Sequence, residues 1–361
     1  MKIALIGRYG EGEIVTGPER FARELFLELK KRNYQVVFIE YFFSGYKDSS
    51  IFKKLFGKED AYKNTIIRLG IIPFLLTLHS SKFDIIHIVN GQRFILFLLL
   101  LNQFIKGRIV TTPHGFLRNE IPVKNIWTKR YFIDLWVEKL LIKKSSLLIF
   151  PSNMLFDTFK KHYEINNKCQ IIPNGVSNIF YSTDSSFLKI ENSIKIVFYN
   201  GFDNSINRGL NELLFLLKNV KHRIELFVIG DSTKQSSFNN IELNFVSLMS
   251  NDDLKKFLQD KHFIIKSTSF DAFSIFVAEC MTAGLIPIVN ENIGLKSFIE
   301  DKVNGFIYSR NSGEELPDLI NDLFKNKYDL ESISNNAKKI YERLNWQNIG
   351  EEYISAYKKV L

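Results

Sequence analysis

Two carboxylates, Asp271 and Glu279, bracket the run Asp271-Ala272-Phe273-Ser274-Ile275-Phe276-Val277-Ala278-Glu279. The small residues between them leave the backbone N–H groups of Phe273 to Ile275 free at a helix start, where orphan amides suit an anion or sugar hydroxyls. Glu279 lies on an otherwise apolar helical segment with Val277, Ala278 and Met281. A carboxylate there needs a partner, because burying it alone is costly; ribose hydroxyls are suitable ones. Upstream, Asn200-Gly201-Phe202-Asp203 and Ser205-Ile206-Asn207-Arg208-Gly209 form a polar, glycine-flanked loop with one guanidinium able to pair with a phosphate. Thr111-Thr112-Pro113-His114-Gly115 places an imidazole directly after a strand, where α/β sheets bind ligands and where it can give or take a hydrogen bond near neutral pH. Near the start, Thr16-Gly17-Pro18-Glu19 opens a helix whose Gly17 backbone is able to approach a phosphate.

The elements that must hold these residues alternate along the chain. Near-continuous apolar runs at Lys2–Ile6, Val36–Ile39, Ile85–Val89, Arg108–Thr112, Leu147–Phe150 and Gln170–Ile172 read as parallel strands buried on both faces. Between the first two, Pro18–Arg32 carries Phe21, Leu25 and Leu29 at helical spacing. A turn at Pro173-Asn174-Gly175 and an irregular polar stretch follow. The alternation then restarts with strands at Lys195–Tyr199, Ile224–Ile229, Ile241–Phe245, His262–Ile265, Ile286–Val289 and Gly305–Ile307. Helices are expected at Asn211–Leu217, Phe276–Ala283, Glu314–Phe324, Ile333–Leu344 and Ile349–Val360. The expectation is α/β throughout: two Rossmann-like, doubly wound domains facing across a cleft, spanning 1–185 and 186–343, with a helix over 344–361 crossing back to the first.

The chain has 361 residues, 45% of them hydrophobic and 24% charged, which excludes wholesale disorder and collagen-like structure. Cys169 and Cys280 cannot form a disulfide framework and belong to no metal-type pair, so a reducing, cytoplasmic setting is expected. The apolar stretch Phe94–Ile105, broken by Asn102-Gln103, is too short to span a bilayer and reads as a buried helix. Of the net charge of +9, residues 1–170 carry +12 and the remainder −3. The first half therefore faces something anionic, unless a lysine-rich composition alone accounts for it. Ile51–Lys58 and Trp127–Trp136 interleave basic and large apolar side chains, which suits a packed helix with a solvated lysine face or peripheral docking at an anionic membrane surface. No recognition module accompanies the charge, so nucleic acid is not an expected partner.

Taken in order, these residues resemble the retaining GT-B glycosyltransferases of family 4, the large group that includes bacterial polysaccharide-building enzymes. The resemblance runs through Gly17-Pro18-Glu19, His114-Gly115, Pro151-Ser152, Pro173-Asn174-Gly175-Val176, Gly201, Arg208-Gly209, the Asp271…Glu279 pair with Ala283-Gly284 and Pro287, and the Trp346…Tyr357 tail. It implies transfer of a sugar from a nucleotide-sugar, a UDP- or GDP-sugar, to a glycan or lipid-linked acceptor in surface polysaccharide synthesis, with retention and with neither cofactor nor metal. The sequence has no Asp-x-Asp motif, in keeping with that. The resemblance gives Glu279 the ribose and Asp271 the donor-sugar hydroxyls. It gives Arg208 the diphosphate with help from Gly17, and His114 the sugar near the reacting carbon. Asn174, Gly201 and the amides of Phe273, Ser274 and Ile275 complete the donor site, with His114, Asp271 and Arg208 as its catalytic members. The family's pattern is departed from at Phe202, where an Arg is usual, at Arg208 for Lys, at Asp271 for Glu, and at Ser177 for Asp. A catalytically inactive nucleotide-sugar-binding protein is therefore one alternative. A nicotinamide-dependent oxidoreductase using Gly7–Gly12 and Glu40 is the other, although the glycine spacing is not that of a dinucleotide fingerprint.

Overall fold

A computed structural model describes residues 1–10, 16–41, 50–62, 65–89, 95, 107–120, 128–181, 187–201, 209–230, 235–312 and 314–361. The chain divides into two compact units. One runs to Asn174 and resumes with Trp346–Leu361; the other comprises Gly175–Asn345. The change of unit falls at the Pro173-Asn174-Gly175 turn itself, ahead of the expected 185/186 division.

In the first unit the described strands are β1 (Lys2–Ile6), β2 (Gln35–Tyr41), β3 (Lys58–Tyr62), β4 (Ile66–Leu69), β5 (Ile85–Val89), β6 (Arg108–Thr112), β7 (Leu147–Phe150) and β8 (Lys168–Ile171). They lie in the order β3-β4-β2-β1-β5-β6-β7-β8. All pairings are parallel except β3 with β4. β1, β4, β5 and β7 are buried along essentially their whole length, because helices cover both faces of a parallel sheet. Phe74 and Leu78 of the Ile71–Ser80 helix and Val137 and Leu141 of the Lys129–Lys144 helix enter one core cluster with Ile6, Ile39, Ile86 and Ile88. The Gly17–Lys31 helix buries Phe21, Leu25 and Leu29, and the Trp346–Lys358 helix lies beside it. Gly350 permits that approach: a Cβ there would meet Glu28 Cγ at 2.6 Å.

The second unit holds β9 (Ile194–Tyr199), β10 (Ile224–Ile229), β11 (Gln235–Phe238), β12 (Ile241–Val246), β13 (Phe263–Lys266), β14 (Ile286–Asn290) and β15 (Phe306–Tyr308). Their order is β11-β12-β10-β9-β13-β14-β15, again parallel except for the edge strand β11. Its core gathers Ile196, Phe198, Leu226, Phe263, Ile265, Ile286 and Ile288 from the sheet, with Leu213, Leu217, Leu316 and Ile320 from two helices.

The differences from expectation are local. β3 and β11 carry too little apolar periodicity to be read from sequence. The short apolar β4 runs through Gly70 almost directly into the equally apolar Ile71–Ser80 helix and is not delimited as a strand. The single helix expected over Ile333–Leu344 is two, Leu330–Lys338 and Ile340–Leu344. Apart from the buried Ile95, the apolar Phe94–Ile105 stretch lies outside the described residues.

Candidate functional site

In the second unit the chemistry-bearing residues collect where the parallel strands end, the position at which open α/β sheets bind ligands. β9 runs into Asn200-Gly201, with Gly201 at φ 82°. The Leu210–Leu217 helix starts from Gly209 at φ 94°, and a Cβ on Gly209 would lie 2.8 Å from the Ser267 carbonyl oxygen. Only glycine fits that approach. Ser267 Oγ in turn donates to the Gly209 carbonyl at 3.1 Å, tying the end of β13 to that helix start. Phe202 and Arg208, the altered and retained cationic positions, lie outside the described residues.

Asp271 follows β13 and is locked on several sides. Its N–H donates to the Asn292 carbonyl at 3.2 Å, and its own carbonyl accepts from the Gly294 N–H at 2.9 Å. Its Oδ2 lies 3.1 Å from Lys266 Nζ, and its Oδ1 accepts the Phe273 N–H at 3.1 Å. This corrects one expectation: the Phe273 amide is not free for a ligand, because the carboxylate two residues earlier has taken it. The Phe273 ring is buried, with the Phe298 ring edge-on at 6.1 Å. Ser274, buried and left-handed at φ 75°, turns the chain into the Ile275–Thr282 helix without a side-chain cap. The amides of Ser274 and Ile275 thus begin a helix that no side chain caps, with the partial positive charge such an end carries.

Glu279 faces inward on that helix and is 1% exposed, whereas the Asp271 side chain is 22% exposed. The expected acidic pair is therefore one carboxylate at the surface of the site and one within its wall. The neighbouring thiol of Cys280 is pushed well above its usual value by burial and by the Glu279 charge. Nearby, Arg310 forks onto Glu212, Nε to Oε1 at 2.6 Å and a second guanidinium nitrogen to Oε2 at 2.5 Å, while its own N–H donates to Glu291 Oε2. This bidentate pair ties the first turn of the Leu210–Leu217 helix to the end of β15.

In the first unit His114 follows β6. Its ring is 4.4 Å from that of Phe21. Its Nε2 is enclosed without a hydrogen-bond partner among the described residues, and burial lowers its pKa to about 3. The imidazole is neutral at physiological pH. Gly17 is exposed as the first residue of its helix, where the Glu19 carboxylate accepts the Thr16 N–H at 2.9 Å and pairs with Arg8 at 3.1 Å. Asn174 is buried, and its Oδ1 meets no described donor. Glu40, the acid a dinucleotide reading requires, is buried and committed to Arg68 at 2.9 Å.

Sequence reasoning missed Lys266 and a polar network around His87. The signal for Lys266 was a lysine closing the apolar run Phe263-Ile264-Ile265 directly before the acidic motif. His87 is fully buried on β5, its Nδ1 2.7 Å from Tyr357 Oη and its Nε2 2.8 Å from Thr112 Oγ1. Among the described residues, no three His, Cys, Asp or Glu side chains gather as a metal site would need, and no helix is long and apolar enough to cross a membrane.

Residues 15–178 match the Glycosyltransferase Family 4 profile, and residues 183–340 match Glycosyl transferases group 1. The chain belongs to the family 4-like GT-B glycosyltransferases. An uncharacterized glycosyltransferase of Methanocaldococcus jannaschii is 22% identical over 213 residues, 53% of this chain and 54% of that protein, so the likeness spans about half the relative's length. In fold the chain is similar to a sucrose-phosphate synthase from Thermosynechococcus elongatus, with a TM-score of 0.78 and 14% identity over 99% of this chain and 98% of that one. It is also similar to the Anabaena protein HepE, solved with UDP and glucose, with a TM-score of 0.72 and 14% identity over 99% of this chain and 100% of that one. A third similar structure is WaaG, a glycosyltransferase of lipopolysaccharide biosynthesis, with a TM-score of 0.70 and 14% identity over 98% and 99% of the two chains.

Proposed function

We propose that this family member transfers a sugar from a nucleoside-diphosphate-sugar to a glycan or lipid-linked acceptor, with retention of configuration, in surface polysaccharide synthesis. The observation that carries the reading is the end of β13: a partly exposed Asp271, fixed by Lys266, immediately ahead of the helix start at Ser274 and Ile275 and of Glu279. Departure of a nucleoside diphosphate places charge on its phosphate oxygens, and uncapped amides at a helix start stabilise such charge in place. On this reading the donor is a UDP- or GDP-sugar, a substrate rather than a cofactor, and the reaction uses no metal. Asp271 accepts hydroxyls of the donor sugar, Glu279 the ribose hydroxyls, and Arg208 neutralises the diphosphate. A neutral His114 supplies a hydrogen bond near the reacting carbon without adding positive charge. Acceptor recognition falls to the first unit, whose basic excess also suits an anionic membrane surface. The Glu40–Arg68 ion pair weighs against the oxidoreductase alternative, because it occupies the acid a nicotinamide cofactor's ribose would need.

The test is a thermal-shift screen of the full chain against UDP, GDP, dTDP, ADP and NAD, repeated with Glu279→Ala and Glu279→Gln. One nucleoside diphosphate is expected to raise the wild-type melting temperature, and both substitutions are expected to remove most of that rise. Equal stabilisation of all three proteins contradicts the ribose role of Glu279, and stabilisation by NAD alone overturns the donor reading. Nucleotide binding with no turnover of any nucleotide-sugar would instead favour an inactive binding protein.

A further inference from the structure

Lys266 ends a strand whose other members, Phe263, Ile264 and Ile265, are fully buried. Its side chain is only 6% exposed, and its polar partner among the described residues is Asp271. An ammonium taken out of water is costly even when paired, and an apolar side chain of similar volume would fill the same space without that cost. Stability therefore does not account for a lysine here. What the lysine does is visible at Asp271. With the Asp271 backbone tied to Asn292 and Gly294, and its two oxygens held separately by Lys266 Nζ and the Phe273 N–H, the carboxylate is restrained at both ends of its short side chain.

We infer that Lys266 is a positioning residue of the donor site: it fixes the Asp271 carboxylate, and through it selects which sugar the site accepts, without taking part in the grip on the nucleotide. The inference rests on the reading that Asp271 meets the donor sugar. A carboxylate with both oxygens already directed offers its remaining lone pairs in set directions. A hydroxyl of matching orientation is accepted, whereas an epimer leaves a polar group unpaired, the situation in which discrimination is largest.

The experiment compares wild type with Lys266→Met, Lys266→Arg, Asp271→Asn and the Lys266→Met/Asp271→Asn double variant. Dissociation constants for UDP and GDP are measured by calorimetry. Release of nucleoside diphosphate is followed from UDP-glucose, UDP-galactose, UDP-N-acetylglucosamine and GDP-mannose with water as the acceptor. For the preferred donor, Lys266→Met is expected to lower kcat/KM about tenfold to a hundredfold and to flatten the preference between glucose and galactose, with the nucleoside diphosphate affinity kept within about twofold. Lys266→Arg restores part of the rate with an altered preference, since the charge returns in a different shape. Added to Asp271→Asn, Lys266→Met costs nothing further. A lysine that merely supports the fold would lower the melting temperature and weaken every donor and the free nucleotide alike. An unchanged glucose-to-galactose preference in both lysine variants, or full additivity with Asp271→Asn, overturns the inference. Should Lys266→Met fail to fold, the preference of Lys266→Arg decides the matter by the same criterion. A wild-type protein that binds neither UDP nor GDP overturns the donor reading first, and this inference with it.

Discussion

Tyr357→Phe isolates one buried hydrogen bond and tests what anchors the last helix to the first unit. The Tyr357 hydroxyl lies 2.7 Å from His87 Nδ1, and both residues are fully buried. Whichever tautomer the imidazole adopts, removing the hydroxyl leaves that nitrogen without its partner and without water. The desolvation penalty of a stranded neutral group is about 1–3 kcal/mol. For a unit of this size each kcal/mol corresponds to about 2–4 °C, so the expected loss is about 2–12 °C in melting temperature. Tyr353→Phe is the internal control. Its hydroxyl is 3.4 Å from Thr112 Oγ1, near the limit of a hydrogen bond, and Thr112 keeps His87 as a partner, so the loss there stays below about 1 kcal/mol. The assay is selective because Trp136 and Trp346 belong to this unit, the remaining tryptophan, Trp127, lies outside the described residues, and Gly175–Asn345 contains no tryptophan. Urea unfolding followed by tryptophan fluorescence therefore reads the first unit directly. If Tyr357→Phe shifts the urea midpoint no more than Tyr353→Phe does, the His87 bond is not what holds the helix.

Acid should destabilise the same unit through its buried imidazoles. His87 and His114 titrate near 3 in the folded chain because burial disfavours their charged form, with the His114 charge adding to the effect on His87. The unfolded chain, with ordinary values near 6.5, binds more protons between those limits, so stability is complete above about pH 6.5 and is lost as pH falls toward 3. At pH 5 each imidazole costs about 2 kcal/mol; a urea midpoint at pH 5.0 equal to or above that at pH 7.5 would contradict the burial argument. The membrane part of the proposal also has a direct check. Ile51 and Phe52 stand 78% and 73% exposed on a short helix with Lys53 and Lys54, a combination suited to an anionic lipid surface. The protein should sediment with phosphatidylglycerol-containing vesicles and not with phosphatidylcholine alone, Ile51→Ser/Phe52→Ser should abolish that, and indifference to the double substitution would refute it.

Much of the architecture was legible because parallel strands buried on both faces read as unbroken apolar runs. β1, β5, β6, β7 and β10 begin and end where those runs do. The edge pieces were not legible: β3, with Lys58, Glu59 and Asp60, and β11, with Gln235, Ser236 and Ser237, have no apolar signal, and they become strands only by pairing antiparallel with a neighbour. At the site, residue types and order located Asp271, Ser274 and Glu279 near a helix start, and the helix does begin there. The sequence did not reveal that Asp271 would spend one oxygen on the Phe273 amide, since a short aspartate side chain can turn either to a nearby amide or to solvent, nor that the loop at Asn292, distant in the chain, would grip its backbone.

By itself, then, the chain's pattern of apolar runs, turns and polar strand ends determined two α/β units and set the polar residues of the candidate site at the ends of strands. Hydrophobic periodicity and loop chemistry are local properties, so they survive being read in one dimension. Tertiary structure decided which of those polar residues are already satisfied by other residues and which still face solvent. It put Lys266 against Asp271, drew Glu279 into the wall of the site, set Arg68 on Glu40 and buried His87 between Thr112 and Tyr357. The Glu40–Arg68 and His87 pairings join residues whose separation only folding removes. Each decides a charge or a hydrogen bond where water is scarce, and there the identity of a neighbour outweighs the identity of the residue.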